Sequence, residues 1–116
     1  MDGSTRYEFA VIPERVGDVA RLVITGEMDM SVVGSLDRAL AQFDLRTADK
    51  LEVDLTGVTF ADSTAVAWLI EAEHSAREAG SHIELVVANG AVDYLLSLTG
   101  IEDHMAVRRP VPRVDG

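Results

Sequence analysis

The chain has 116 residues, of which 47% are hydrophobic and 26% charged, a size and balance that suit one globular domain and exclude wholesale disorder. Basic residues number 10 against 20 acidic ones, a formal charge of −10, which disfavours nucleic acid and anionic membrane surfaces as partners. Cysteine is absent, so disulfides, thiol catalysis and thiolate metal sites are excluded.

No apolar run approaches the roughly 20 residues of a membrane span. Met1-Asp2-Gly3-Ser4 lacks the basic, apolar character of a signal sequence, so a cytoplasmic location is expected. Tyr7, Phe9 and Val11 alternate with polar or small residues at the period of a half-buried strand, which Pro13 and Gly17-Asp18 interrupt. Val19 to Thr25 reads as a second strand, and the short connection predicts an antiparallel hairpin. Gly26-Glu27-Met28-Asp29 is expected to leave that strand as a loop. Ser31 can then cap a helix that carries Val33, Leu36, Leu40 and Phe43 at three- and four-residue spacing.

Leu51 to Leu55 is the next predicted strand, followed by a turn at Thr56-Gly57 and a short apolar patch, Val58-Thr59-Phe60. A second helix starts near Asp62-Ser63, either of which can cap it, and runs to Ala79, where Gly80 supplies a left-handed stop. Its inward row is expected to be Val66, Leu69 and Ile70. Trp68 joins Ala65, Ala72 and Ala76 in a flank that reads as core margin, with a partner-facing anchor as the other reading of the indole. Ile83 to Val87 is a further strand, Asn89-Gly90 a break, Ala91 to Leu98 a third helix ended by Gly100, and Met105 to Val107 a short last strand. The segment from Arg108, with Pro110 and Pro112, is expected to be an extended, mobile tail. These elements predict one α/β domain over residues 1–116, with its core at about 7–107. Its sheet is mixed and mostly parallel, of four to five strands with an N-terminal hairpin, and three or more helices pack on it.

Several chemistries lack their residues. A phosphate-binding loop needs a lysine after its glycines, and the only lysine is Lys50, on the approach to a strand. The three-glycine dinucleotide fingerprint is missing, so no cofactor is expected. His74, His82 and His104 are scattered, and the Glu71/His74 spacing reads as a solvated helix face, so no metal is expected either. No Gly-x-Ser-x-Gly elbow supports a serine hydrolase. Asp54 ends a central strand, where a phospho-accepting receiver aspartate would lie. The late strand instead runs into Ala88-Asn89-Gly90 without the required lysine, which leaves Asp54 as a structural residue that bonds turn amides. No catalytic residues are assigned.

The informative stretch is Phe60 to Leu69. A helix start offers unpaired amides and a positive dipole end, which is why a phosphate on Ser63 would find donors there, while Asp62 would turn it outward. Asp62-Ser63-Thr64 before an apolar helix, Gly26-Glu27-Met28-Asp29 after the second strand, and Leu96-Ser97-Leu98-Thr99-Gly100-Ile101 occur in one order along about Tyr7 to Val107. This arrangement resembles the STAS domain family, most closely its stand-alone anti-sigma factor antagonists.

The resemblance implies a non-catalytic bacterial regulator. Its partner would be an anti-sigma factor that is also a serine kinase with an ATP fold of the histidine-kinase type. The unphosphorylated form would capture that partner and free a sigma factor, phosphorylation of Ser63 would end the capture, and a serine phosphatase would restore it. The implied contact set comprises Glu27, Asp29, Asp62, Ser63, Thr64, Ala65 and Trp68, and a monomer is expected. Most members carry glycine at the place of Ala65, and Val66-Ala67 also departs from the common pattern. The alternative is a non-phosphorylated STAS scaffold or accessory subunit of a signalling or membrane-transport assembly.

Overall fold

In the computed structural model the described residues are 9–88 and 90–110. Tyr7, Asn89 and Pro112, assigned above to the first strand, a break and the tail, lie outside them. The hairpin forms from β1 (Ala10–Val16) and β2 (Val19–Met28), paired antiparallel around Gly17-Asp18. Pro13 does not interrupt β1. It pairs with Leu22 in the strand at the sheet edge, where a missing N–H is tolerated. From β2 the chain passes through a 3-10 turn and α1 (Val33–Leu40) to β3 (Lys50–Ala61), then α2 (Ser63–Glu78), β4 (His82–Val86), α3 (Ala91–Thr99) and β5 (Ala106–Arg108). The sheet order is β1-β2-β3-β4-β5, and every pair after the hairpin is parallel.

Strand alternation shows where the helices lie. In β2, Ala20, Leu22, Ile24 and Met28 are buried while Arg21, Val23 and Thr25 are half-buried; in β3, Leu51, Val53 and Leu55 are buried opposite Lys50, Glu52 and Asp54. Right-handed crossovers between neighbours taken in sequence order place all three helices on the same face. One core cluster joins residues of the three helices to those of the strands.

The other face carries charge across the whole sheet. Arg21 lies 3.5 Å from Glu14, 3.2 Å from Glu52 and 3.0 Å from Asp54, while Lys50 and Arg108 both reach Glu52 and Glu84. Burial pushes the Asp54 carboxyl up. Hydrogen bonds from the Thr56 hydroxyl and amide and from Arg21 outweigh it and hold the group below the ordinary carboxylate range. Glu84 behaves alike, with burial opposed by Lys50 and Arg108. A depressed folded-state pKa gives stability that is present above the unfolded value and lost as pH falls through the folded one. Asp54→Asn is therefore expected to be less stable than wild type at neutral pH by about 1 kcal/mol. The difference should shrink in acid. Thermal melts across a pH series check this, and a gap that stays constant with pH contradicts it.

Several boundaries correct the sequence reading. Thr56-Gly57 is no turn, because β3 runs on to Ala61 through a register shift that passes from Val23↔Asp54 to Thr25↔Gly57. The shift resets the alternation, so Leu55 and Val58 are both buried. Glycine fits at its centre without adjustment: a Cβ at Gly57 would stand 2.7 Å from Thr25 Cγ2 and force that side chain to shift. Gly26, Glu27 and Met28 belong to β2 rather than to a loop. Asp29, not Ser31, caps the turn before α1, and α1 ends before Phe43. On α2 the buried row is Ala65, Val66, Trp68, Leu69, Ala72 and Ala76, and Ile70 is exposed. Two residues assigned to the expected tail belong to the fold instead. Arg108 lies in β5, and Arg109 binds both Asp93 and Glu102.

Candidate functional site

The parallel pairing of β2 and β3 brings two segments together at the carboxyl ends of the strands, where ligand and partner sites in α/β sheets tend to lie. Glu27 is opposite Phe60 and Met28 opposite Ala61, so the two segments leave the sheet side by side, one at Asp29 and the other at Asp62. Most of the candidate residues named from sequence thus meet at one edge, although Glu27 sits in a strand.

Both strand ends turn into helical segments through an aspartate. Asp29 Oδ1 accepts from the Ser31 amide at 2.9 Å and from its hydroxyl at 2.5 Å. Asp62 is extended, and its Oδ1 accepts from the amides of Thr64 at 2.9 Å and Ala65 at 3.2 Å. The side chain of Asp62 thus settles which residue caps α2, and it corrects the expectation of open donors there. An anion on Ser63 would have to displace a cap worth about 1 kcal/mol to reach these amides, so outward is the favoured direction. Ser63 itself is the first residue of α2 and is exposed, and its hydroxyl has no hydrogen-bond partner among the described residues.

Two members of the expected contact set are inside instead. Ala65 is 3% exposed and Trp68 6%. The Trp68 indole N–H donates to Asp37 Oδ1 at 2.9 Å, which ties α2 to α1 and leaves the ring packed in the core. These two corrections share a cause. Both residues lie on the alanine-rich side of α2 that packs into the core, and the indole bonds across to Asp37 of α1. Thr64 is half-buried at the rim.

Sequence patterning did not single out Met30 and Phe60 as surface residues, yet they are 74% and 48% exposed on the two adjoining strand ends. The signal available was position: Met30 opens the helical turn capped by Asp29, and Phe60 stands two residues ahead of the cap Asp62, each after the last buried residue of its strand. The site therefore combines an outward hydroxyl, the carboxylates of Glu27, Asp29 and Asp62, and two exposed apolar side chains. Among the described residues, no group of three or more His, Asp or Glu could hold a metal ion, and no helix is long and apolar enough to cross a membrane.

Comparison with known proteins bears on this arrangement. The family model described as Mlab, STAS domain, matches residues 13–109. The chain is 26% identical over 105 residues to the anti-sigma-B factor antagonist of Listeria monocytogenes, covering 90% of this chain and 92% of that one. Its fold is similar to the crystal structure of an anti-sigma factor antagonist from Mycobacterium paratuberculosis, with a TM-score of 0.78, 20% identity, and coverage of 87% and 86%. It is also similar to the anti-sigma factor antagonist SpoIIAA in its unphosphorylated form, with a TM-score of 0.69, 15% identity, and coverage of 88% and 89%.

Proposed function

The chain belongs to the STAS domain family, and from that premise we propose that it is an anti-sigma factor antagonist controlled at Ser63. Its role is to bind, not to catalyse. In the bare form, the edge formed by the ends of β2 and β3 captures an anti-sigma factor that is also a serine kinase, and a sigma factor is freed. Transfer of a phosphoryl group to Ser63 ends the capture, and a serine phosphatase resets it. The likeness in sequence and length to a Listeria protein named as an anti-sigma-B factor antagonist supports this reading, as does the fold shared with SpoIIAA, a protein described in an unphosphorylated form.

The observation that carries the proposal is the exposed Ser63, with an unengaged hydroxyl among the described residues, following the carboxyl end of β3, near which Phe60, and Met30 just past the end of β2, are also exposed. Apolar anchors near the centre of an interface supply much of its affinity once water is expelled. A phosphate added among them, next to acidic neighbours, acts by like-charge repulsion and by the cost of desolvation. Phosphorylation would therefore weaken docking, the sign the proposal needs.

Ala65 was the residue that favoured a non-phosphorylated scaffold. Because it is buried, its methyl group adds to the packing under the first turn of α2 and leaves the surface around Ser63 unchanged. The switch reading is the better supported of the two.

The test is capture of a kinase-type anti-sigma factor from the same organism, measured without ATP by co-elution and by titration. Met30→Ala and Phe60→Ala together are expected to weaken capture about 30-fold, near 2 kcal/mol. Thermal stability should be almost unchanged, since both side chains are exposed. Failure of the bare protein to bind any such factor contradicts the proposal, as does undiminished binding by the double variant.

A further inference from the structure

We infer that the groove between α1 and α2 is a second docking surface, shaped for a basic amphipathic helix of a protein partner. The groove has a volume of about 430 Å³. Val33 and Leu40 of α1 form one wall, Ala67 and Ala72 of α2 the other, and the buried Trp68 lies between them. Alanines on the α2 wall let another backbone approach closely. From Thr64 to Ser75 that wall runs about 16 Å at the helical rise of 1.5 Å per residue, room for about three turns of a docked helix.

The chemistry of the walls selects the occupant. Both are sides of α-helices, whose backbone donors and acceptors are already paired within the helix. An extended peptide laid there would turn its own amides toward apolar side chains with nothing to bond, whereas a helix satisfies its backbone internally. Charge decides the rest. Asp37 and Glu71 stand on opposite walls, and no Lys or Arg lines the groove. Asp37 accepts the indole N–H and is paired with no cation, and Glu71 makes no ion pair among the described residues. On a chain of formal charge −10, two uncompensated carboxylates beside an apolar floor repel fatty acids and anionic lipid, and they complement lysines flanking an apolar stripe. This surface does not depend on the reading of Ser63, and the two can fail separately.

The probe is a synthetic amphipathic Leu/Lys helix of about 12–14 residues, compared with a Leu/Glu peptide of the same pattern. Binding to the full chain is read from the emission of Trp68, the only tryptophan, and from the amide signals that move in a two-dimensional NMR titration. The Leu/Lys peptide is expected to shift Trp68 emission and to move signals of α1 and α2. Ala67→Arg and Glu71→Lys should each weaken it about tenfold or more. Glu78→Lys makes the same charge change on the same helix outside the groove, and should leave affinity within about twofold. Equal losses from Glu71→Lys and Glu78→Lys would mean attraction to net charge alone and overturn the inference. So would equal binding of the Leu/Glu peptide, or a dimer of the free protein that Ala67→Arg converts to monomer.

Discussion

Trp68→Ala is expected to lower the free energy of unfolding by about 3–5 kcal/mol, the range for emptying a buried aromatic position. The indole is 6% exposed and belongs to the cluster that unites the three helices with the sheet. It also donates to Asp37 across the α1–α2 contact, so truncation creates a cavity and removes an interhelical hydrogen bond together. Against a typical total of about 5–15 kcal/mol, such a loss leaves the domain marginal or unfolded at growth temperature. Trp68→Phe keeps most of the volume and frees Asp37 toward water, so its cost should be nearer 1–2 kcal/mol. Denaturant titration followed by circular dichroism checks both variants. If Trp68→Ala unfolds at the wild-type midpoint, the side chain is no core residue and its assignment to the interior is wrong.

The second large effect falls on binding. Phosphorylation of Ser63 is expected to weaken capture of the anti-sigma factor about 100-fold, or roughly 2.7 kcal/mol. The group carries about −1.5 to −2 charges at neutral pH. At about 8 Å and an effective dielectric near 20, each pair of like unit charges costs about 2 kcal/mol. Water screens much of the repulsion from Glu27, Asp29 and Asp62 while the surface is free. Docking expels that water, so the cost appears chiefly in the complex. Asp62 already occupies the amides of Thr64 and Ala65, which removes the nearest shelter for the phosphate. Calorimetric titration of the bare and phosphorylated protein against the same partner measures the difference, and equal affinities contradict it.

Much of the architecture was legible because it is local. The three- and four-residue spacing in α2, its stop at Gly80 (φ 83°) and the Gly17-Asp18 hairpin depend on neighbours in sequence, and each lies where the pattern put it. The alternation of strands and helices then fixed a mostly parallel sheet. What escaped was set by distant partners. The register shift at Gly57 shows only in the pairing with β2, where Gly57 lies opposite Thr25, and from within its own segment the broken alternation looks like a turn. The α2 spacing already put Trp68 with Ala65, Ala72 and Ala76 at the core margin, where all four are buried, but its bond to Asp37 of α1 lies beyond any pattern within α2. Ser31 was the expected cap, and Asp29, read from sequence as part of a loop, takes that place by accepting from the Ser31 amide. At the site, the motif placed Ser63 at a helix start. The exposure of Met30 and Phe60 near these strand ends follows from the β2–β3 pairing, which brings the two strand ends side by side, rather than from a pattern within either segment.

The central claim is that the Ser63 hydroxyl alone converts a captured partner into a released one. The most direct measurement incubates the protein with its kinase-type anti-sigma factor and ATP, then follows both the site of phosphorylation by mass spectrometry and the complex by co-elution. The account predicts one phosphoryl group, on Ser63, and loss of the complex, while Ser63→Ala gains none and stays bound. Phosphate on any other residue would contradict it, as would release of Ser63→Ala as complete as that of wild type.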